Sequence, residues 1–163
     1  MKVLVVSDTH GYLDNLERAV EAEAPFDLLV HCGDVEGQER SIETIARRPA
    51  WIVAGNNDFF GKLPKELTFS IGRNRAFLTH GHTYGIGYGR ERIFAEARRR
   101  GCDLVFVGHT HIPMIQESGQ VLLMNPGSLT YPRQRGRNPS YGVIEVGEDG
   151  EIRAEIRYLS GNR

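Results

Sequence analysis

Carboxylate, amide and imidazole side chains follow five predicted strands of this chain, close to the point where each strand ends. They are Asp8, His10, Asp34, Asn56, His80, His109 and His111. Carboxylate oxygen and imidazole nitrogen suit borderline divalent metals such as Mn, Fe, Co, Ni and Zn. These residue types, in these positions, therefore predict a metal site.

The number of candidate ligands bears on how many ions the site holds. Seven ligands exceed the need of one tetrahedral ion, and they match two ions that share one carboxylate. Two ions about 3.5–4 Å apart are a common arrangement for displacement at phosphorus. Taken singly, Asp34 and Asn56 are also ordinary turn residues, and a lone histidine is often a capping or surface residue. Unrelated turns have no reason to place ligands after five core strands, so we favour a shared site.

Strands and helices alternate in the first part of the chain. Strand patterns occur at 2–6, 27–32 and 51–54, and their residues suit strands buried on both faces. One helix, with Asp14 as its N-cap and Pro25 beyond its end, and a short helix around 42–46 separate them. This alternation predicts parallel strands, and ligands bind outside the carboxyl ends of such strands.

Hairpin patterns are more frequent in the rest of the chain. Short strands are predicted at 67–71, 75–79, 103–107, 114–117, 121–124, 141–146 and 152–159, with a helix at 90–100 and Gly101 as its C-cap. Two sheets packed face to face, with helices outside, accommodate both halves. We therefore predict an α/β fold in a single domain of residues 1–163.

Composition and charge exclude several classes of function. With 163 residues, 40% hydrophobic and 25% charged, the chain is typical of a soluble protein with one core. Its formal net charge of −1 provides no overall field for nucleic acid. No apolar run or leader pattern suggests a membrane, so we expect a cytoplasmic protein. Cys32 and Cys102 fit buried thiols in a reducing compartment better than a disulfide.

Five motifs occur in order along residues 1 to about 130: Asp8-Thr9-His10, Gly33-Asp34, Gly55-Asn56-Asn57-Asp58, His80-Gly81-His82 and Gly108-His109-Thr110-His111. Together they resemble the signature of the calcineurin-like metallophosphoesterase family, and the short chain is most similar to its small bacterial and archaeal phosphodiesterase branch. The resemblance implies a four-layer αββα sandwich of two mostly mixed β-sheets flanked by helices. It also implies two divalent metal ions, often manganese, with iron, zinc or nickel as alternatives. A homodimer is suggested by this similarity only.

The resemblance also assigns the ligands and a reaction. One metal is assigned to Asp8, His10, Asp34 and His111, and the other to Asp34, Asn56, His80 and His109, with Asp34 bridging. The implied reaction is hydrolysis of small phosphodiesters by attack of a metal-bridging hydroxide. Ser7 and Ser128 have no evident activating base, so a serine nucleophile is not expected.

The third motif departs from the family pattern. Many members carry a histidine where this chain has Asn57, and that histidine contacts the phosphate and can protonate the leaving group. An amide can donate a hydrogen bond to a phosphate oxygen, but it cannot supply a proton at neutral pH. We therefore predict that Asn57 binds the substrate phosphate. His82 is either a replacement acid or a residue beside the metals.

Other residues and functions stay open at this point. Arg133 is a candidate for substrate binding, although a solvated loop is the ordinary alternative. His31 is assigned to a hydrogen-bonded role in the core. An inactive protein-binding scaffold, like the retromer subunit that shares this fold, is one alternative function, and a nuclease of the same family is another. The complete set of ligand types argues against the scaffold, and the length and charge argue against the nuclease.

Overall fold

A computed structural model describes residues 1–160, which contain ten strands, three α-helices and one 3₁₀ helix. In chain order these are β1 (Lys2–Val6), α1 (Asp14–Glu23), β2 (Leu28–His31), α2 (Glu39–Ala46), β3 (Ala50–Ile52), β4 (Glu66–Ile71), β5 (Asn74–Thr79), the 3₁₀ helix (His82–Tyr84), α3 (Glu91–Arg99), β6 (Leu104–Phe106), β7 (Met114–Ser118), β8 (Val121–Asn125), β9 (Ser140–Val146) and β10 (Ile152–Tyr158). None of the helices in this range is long and apolar enough to span a bilayer.

The strands form two mixed sheets of five strands each, in the orders β10-β9-β1-β2-β3 and β4-β5-β6-β8-β7. In the first sheet β1, β2 and β3 are parallel, and the antiparallel strands β9 and β10 lie on the other side of β1. In the second sheet β5, β6 and β8 are parallel, and β4 and β7 form antiparallel edges. Each sheet therefore contains three adjacent parallel strands, whose carboxyl ends can carry a site.

Three clusters of apolar side chains define the layers. One cluster fills the space between the two sheets and includes Val5 and Phe106. A second cluster packs α1 and α2 on the outside of the first sheet, through residues such as Leu16 and Ile42. A third packs α3 on the outside of the second sheet, where Ile93 is fully buried. The order of layers is helix, sheet, sheet, helix, so the αββα sandwich is confirmed.

Two predicted helix caps are displaced by one residue. Leu13 is the N-cap of α1, so Asp14 lies inside the first turn, where its negative charge favours the positive end of the helix dipole. At the end of α3 the C-cap is Arg100, and Gly101 follows it with a φ of 65°. The predictions for Asp14 and Gly101 as caps were therefore wrong, although glycine does take the left-handed position after the helix.

The last two strands belong to the first sheet, where β9 lies beside β1 and β10 lies beside β9. β9 pairs antiparallel with β1 from Lys2↔Glu145 to Val5↔Gly142. Sequence patterns predicted the β9–β10 hairpin correctly, but they did not indicate which sheet it joins. Cys32 and Cys102 are both buried free thiols. The prediction of one domain over residues 1–163 extends beyond the described residues and stays a prediction.

Candidate metal centre

The loops that carry the candidate ligands turn sharply after their strands. Asp8, His10, Asp34, His109 and His111 all have positive φ angles, between 48° and 69°. Residues other than glycine adopt this region rarely, because of the Cβ atom, and such strain concentrates at functional sites. Within residues 1–160 only eight non-glycine residues have a positive φ, and five of them are these candidate ligands. The surrounding fold therefore holds these backbones in place.

Asp8, His10, Asp34 and His111 converge at one end of the sandwich. Each offers one ligand atom, and the four atoms lie within 4.8 Å of one another. His111 Nε2 is 3.0 Å from Asp8 Oδ1 and 3.3 Å from His10 Nε2. The structure thus brings together the four residues assigned to the first metal.

The remaining candidate ligands meet around Asn56. The side-chain oxygen of Asn56 is 3.0 Å from His80 Nε2 and 2.9 Å from His109 Nδ1. Asp34 reaches both groups, because its Oδ2 is 3.5 Å from His80 Nε2 and 3.8 Å from His10 Nε2. The Asp34 carboxylate therefore lies between the two groups of ligands.

Hydrogen bonds on the outer side of three imidazole rings determine which nitrogen faces the centre. The Nδ1 atoms of His10, His80 and His111 lie 2.7, 2.7 and 2.8 Å from Glu36 Oε1, the Cys32 carbonyl and the Tyr131 carbonyl, respectively. These oxygens only accept hydrogen bonds, so each neutral ring carries its proton on Nδ1. Each Nε2 then presents a lone pair to the centre, as metal-binding histidines do.

The surroundings of Asp8 Oδ1 show that a cation fits this site. This oxygen is buried and accepts no hydrogen bond from any residue of 1–160. In the neutral ring the lone pair of His111 Nε2 faces it at 3.0 Å, which is unfavourable unless a proton or a metal ion lies between them. Buried carboxylates need such compensation. Together with the inward Nε2 atoms, this donor set fits divalent metal ions.

The charges within the site favour ionised carboxylates. Burial alone would raise the pKa of Asp34, but His80 and the hydrogen bonds from Asn57 hold that pKa well below its usual range. Burial likewise opposes ionisation of Asp8, and His111 and His80 outweigh it, so the Asp8 pKa is lowered. Burial would lower the pKa of His80, but Asp34 and Asp8 outweigh this effect, so the pKa of His80 is raised. A metal ion at this site therefore competes with a proton on His80.

Asn57 contacts the carboxylate between the two ligand groups. Its backbone N–H donates to Asp34 Oδ1 at 2.9 Å, and its side-chain amide donates to Asp34 Oδ2 at 2.8 Å. A side-chain amide has two N–H donors, so one remains for another acceptor. The structure places Asn57 in the site through Asp34, and its contact with substrate stays a prediction.

His82 lies in the 3₁₀ helix beside two candidate ligands. Its ring centroid is 5.4 Å from that of His80 and 6.0 Å from that of His109. Burial and the neighbouring His80 lower the pKa of His82. Its Nδ1 is buried without a hydrogen-bond partner in residues 1–160. The position is adjacent to the centre, while a role as general acid stays a prediction.

Asp58 organises the site in a way that sequence reasoning missed. Its two carboxylate oxygens accept backbone N–H groups of four residues: Asp34 at 2.8 Å, Val35 at 3.0 Å, Glu36 at 2.7 Å and Gly55 at 2.7 Å. Asp58 thus joins the loop after β2 to the loop after β3. It stood inside a recognised motif, but its residue type indicated no more than a turn. Glu36, which orients His10, had no sequence signal.

Three further expectations concern polar residues near the centre. His31 is fully buried, accepts the Gly33 N–H at 3.2 Å on Nδ1, and lies 3.0 Å from Thr9 Oγ1 through Nε2. Burial lowers its pKa to about 4, so its predicted core role is confirmed. The Ser7 hydroxyl donates to Asp8 Oδ2, and the Ser128 hydroxyl donates to the Asp8 carbonyl at 2.9 Å. Both serines therefore position Asp8.

Arg133 is exposed and lines a hollow next to His109. Its backbone N–H donates to the His111 carbonyl at 3.0 Å, which attaches its loop to the ligand-bearing loop. Tyr131 in the same loop lies with its ring centroid 5.2 Å from that of His10. The loop is thus part of the rim of the centre, and substrate binding by Arg133 stays a prediction.

Comparisons with known sequences agree with the geometry. A family model described as the calcineurin-like phosphoesterase superfamily domain matches residues 1–149. The chain is 37% identical over 159 residues to the probable metallophosphoesterase YsnB of Bacillus subtilis strain 168, covering 97% of this chain and 90% of that protein. It is 31% identical over 170 residues to the phosphodiesterase YfcE of Escherichia coli K12, covering 89% and 88%, respectively.

Solved structures show the same fold. A conserved uncharacterized protein, a predicted phosphoesterase from Streptococcus pneumoniae TIGR4, matches with a TM-score of 0.79 at 25% identity, over 97% of both chains. Vps29 of Entamoeba histolytica, in complex with Zn²⁺, matches with a TM-score of 0.77 at 23% identity, over 97% of this chain and 99% of that chain. The likeness to Vps29 shows a shared fold alone.

Proposed function

This chain belongs to the calcineurin-like phosphoesterase superfamily, and we propose that it hydrolyses small phosphodiesters at a centre of two divalent metal ions. The observation that carries the proposal is the position of Asp34. Its Oδ2 lies 3.8 Å from His10 Nε2 and 3.5 Å from His80 Nε2. One carboxylate between two groups of imidazoles suits two neighbouring ions. The name of the relative YfcE supports a diester rather than a monoester as the substrate.

The residues of the chain supply position and orientation for this reaction. Two divalent ions, when bound, would lower the pKa of a water molecule and neutralise charge on the phosphate. Glu36 and the Cys32 and Tyr131 carbonyls hold three imidazoles with Nε2 facing inward. Asn57 donates one N–H to Asp34, and we assign its second N–H to a phosphate oxygen. The contacts to the three imidazoles and to Asp34 are in place before substrate arrives.

Manganese is the metal that we propose first, with iron, zinc and nickel as alternatives. The donor set of carboxylate, amide and imidazole groups accepts several of these ions. Metal identity is therefore tested separately from the reaction, by supplying each ion in turn to protein treated with EDTA. The cytoplasmic location and the homodimer stay predictions.

Hydrolysis of bis-p-nitrophenyl phosphate tests the proposed reaction. We expect EDTA-treated protein to release nitrophenolate only after Mn²⁺ or another of the four ions is added. We expect His109→Ala to lower kcat/KM by roughly 10²-fold or more, because even residues that only support ligands contribute about 10–100-fold. Arg135→Ala, a change at an exposed residue outside the centre, is the control.

The outcome of that assay also separates the alternatives. Folded protein without hydrolysis under any of the four metals would contradict the proposal and favour a protein-binding scaffold of the same fold. Hydrolysis of single-stranded or duplex DNA far faster than of small diesters would favour the nuclease. The net charge of −1 argues against the nuclease, since phosphate contacts dominate nucleic-acid affinity.

Because asparagine occupies position 57, we expect the rate to depend strongly on the leaving group. General acid catalysis contributes typically 10²–10⁴-fold, and an asparagine cannot provide it. Across a series of methyl and aryl phosphodiesters, we expect kcat to fall steeply as the pKa of the leaving alcohol rises. We expect Asn57→His to flatten this dependence. A flat dependence in the unaltered protein, with chemistry rate-limiting, would show that another group, for example His82, supplies the proton.

A further inference from the structure

Two hollows adjoin the metal centre, share no lining residue and differ in charge. The first has a volume of about 500 Å³ and is lined by Glu36, Glu39 and Asp58, together with Phe59 and Phe60. No lysine or arginine lines it. We call it the acidic hollow. It suits an aromatic or uncharged group, because three carboxylates repel an anion.

The second hollow, which we call the basic hollow, lies against the candidate ligand His109. It has a volume of about 460 Å³, and its charged residues are Arg90 and Arg133. No aspartate or glutamate lines it. Part of its wall is apolar, through Ile86, Ile112 and Met114. This lining suits a group that has both an apolar face and a negative charge.

The two arginines of the basic hollow have no carboxylate partner in the part of the chain that the structure describes. Other arginines, such as Arg100 and Arg157, form ion pairs with glutamates at 2.6 and 2.7 Å. Arg90 is half-buried, and its Nε is buried without a hydrogen-bond partner in residues 1–160. A partly desolvated guanidinium without an acceptor is unfavourable, so an anion that reorients it would relieve this cost.

We propose that the basic hollow binds an ester arm that carries its own phosphate. The preferred substrate is then a phosphodiester with a second anionic group, such as a nucleotide whose other hydroxyl is also phosphorylated. The guanidinium groups of Arg90 and Arg133 bind this second phosphate through charge-assisted hydrogen bonds. The apolar wall contacts the sugar or base between the two phosphates. This inference rests on the proposed function and specifies its substrate.

The charges of the two hollows also set the orientation of such a substrate. The scissile phosphate lies at the metal ligands, with His109 on the side of the basic hollow. The arm with the second phosphate is repelled by Glu36, Glu39 and Asp58 and attracted by the two arginines. The uncharged arm is then left for the acidic hollow and its exposed rings. Selection thus uses both attraction and repulsion.

A pair of substrates that differ only in the second phosphate tests this inference. They are the p-nitrophenyl ester of thymidine 5′-phosphate and the same ester with an added 3′-phosphate. Both release nitrophenolate, so the chemistry at the scissile phosphate is matched. We expect the 3′-phosphorylated ester to have a kcat/KM at least about tenfold higher, mainly through a lower KM, as one charge-assisted hydrogen bond provides.

Variants identify the residues responsible. We expect Arg90→Gln combined with Arg133→Gln to reduce the preference for the 3′-phosphorylated ester to about twofold or less. Arg135→Gln, in the same loop as Arg133 but outside the hollow, should retain the preference. Equal kcat/KM for the two esters, or a preference that survives in the double variant, would overturn the inference while the proposed hydrolase stands. Absence of hydrolysis of both esters would instead contradict the proposed function.

A binding measurement keeps the inference testable without turnover. Thymidine 3′,5′-bisphosphate and thymidine are titrated calorimetrically into the protein in the presence of EDTA. We expect the bisphosphate to bind at least about fivefold more tightly, because only the bisphosphate brings a phosphate to the arginines. In the double variant this difference should be lost. Equal affinities in the unaltered protein would contradict the basic hollow as an anion site.

Discussion

Asp34→Asn is expected to lower kcat/KM for bis-p-nitrophenyl phosphate by roughly 10³-fold or more, with a greater effect than the loss of any ligand on one side of the centre. Asp34 Oδ2 faces both groups of candidate ligands, so its loss should weaken both of the proposed metal positions. Metal ions contribute several kcal/mol of charge stabilisation at phosphorus, and each 1.36 kcal/mol is about tenfold in rate. Nitrophenolate release under saturating Mn²⁺ measures the loss.

Metal content separates this effect from misfolding. Elemental analysis after dialysis should show that each chain of Asp34→Asn retains at least one metal ion fewer than a chain of the unaltered protein. Asparagine has nearly the same shape and can still accept the Asn57 backbone N–H, so the fold should be kept. Asp14→Asn makes the same chemical change at an exposed helix residue and serves as the control. Two bound ions with near-normal turnover in Asp34→Asn would show that Asp34 does not bridge.

The candidate ligands could be recognised from sequence because each lies within about five residues after the end of a strand. When a strand pattern ends at Val6 or Thr79, the next residues must lie at the carboxyl edge of a sheet. The residue type then indicates the chemistry, so Asp8 and His80 could be identified as candidates without knowledge of distant contacts. The alternation of helices and strands predicted the parallel strands of the first sheet in the same local way.

Supporting residues could not be predicted, because their roles depend on loops that meet only in the fold. Glu36 orients His10, which lies 26 positions earlier in the chain. The Cys32 carbonyl orients His80 across 48 positions. Neither contact has a local pattern, and a main-chain carbonyl has no sequence signature. The pairing of β9 with β1 could not be predicted from sequence for the same reason. A hairpin pattern specifies its own turn, but it does not specify which other strand the hairpin pairs with.

Asp58 shows how far such a supporting residue can determine the site. It accepts N–H groups from Asp34, Val35, Glu36 and Gly55, so its carboxylate sets the position of two ligand loops together. The close approach of these loops leaves no room for a side chain at Gly33, where an added Cβ would lie 2.8 Å from the Gly55 nitrogen. Loss of the Asp58 carboxylate therefore removes the hydrogen bonds that hold two closely packed loops together, and not a single contact.

We expect Asp58→Ala to lower the free energy of unfolding by about 2–4 kcal/mol, since several partly buried N–H groups lose their acceptor. Urea unfolding in EDTA measures this cost without any contribution from metal. In folded protein, the apparent Mn²⁺ affinity should fall by roughly 10–100-fold, as for other residues that orient ligands, while saturating Mn²⁺ restores much of kcat. Asp58→Asn keeps one acceptor oxygen and should lose less of both. If Asp58 positions Asp34 and the loop of Asn56, its loss must weaken the binding of Mn²⁺. An unchanged Mn²⁺ affinity in Asp58→Ala would therefore show that Asp58 contributes to folding stability alone.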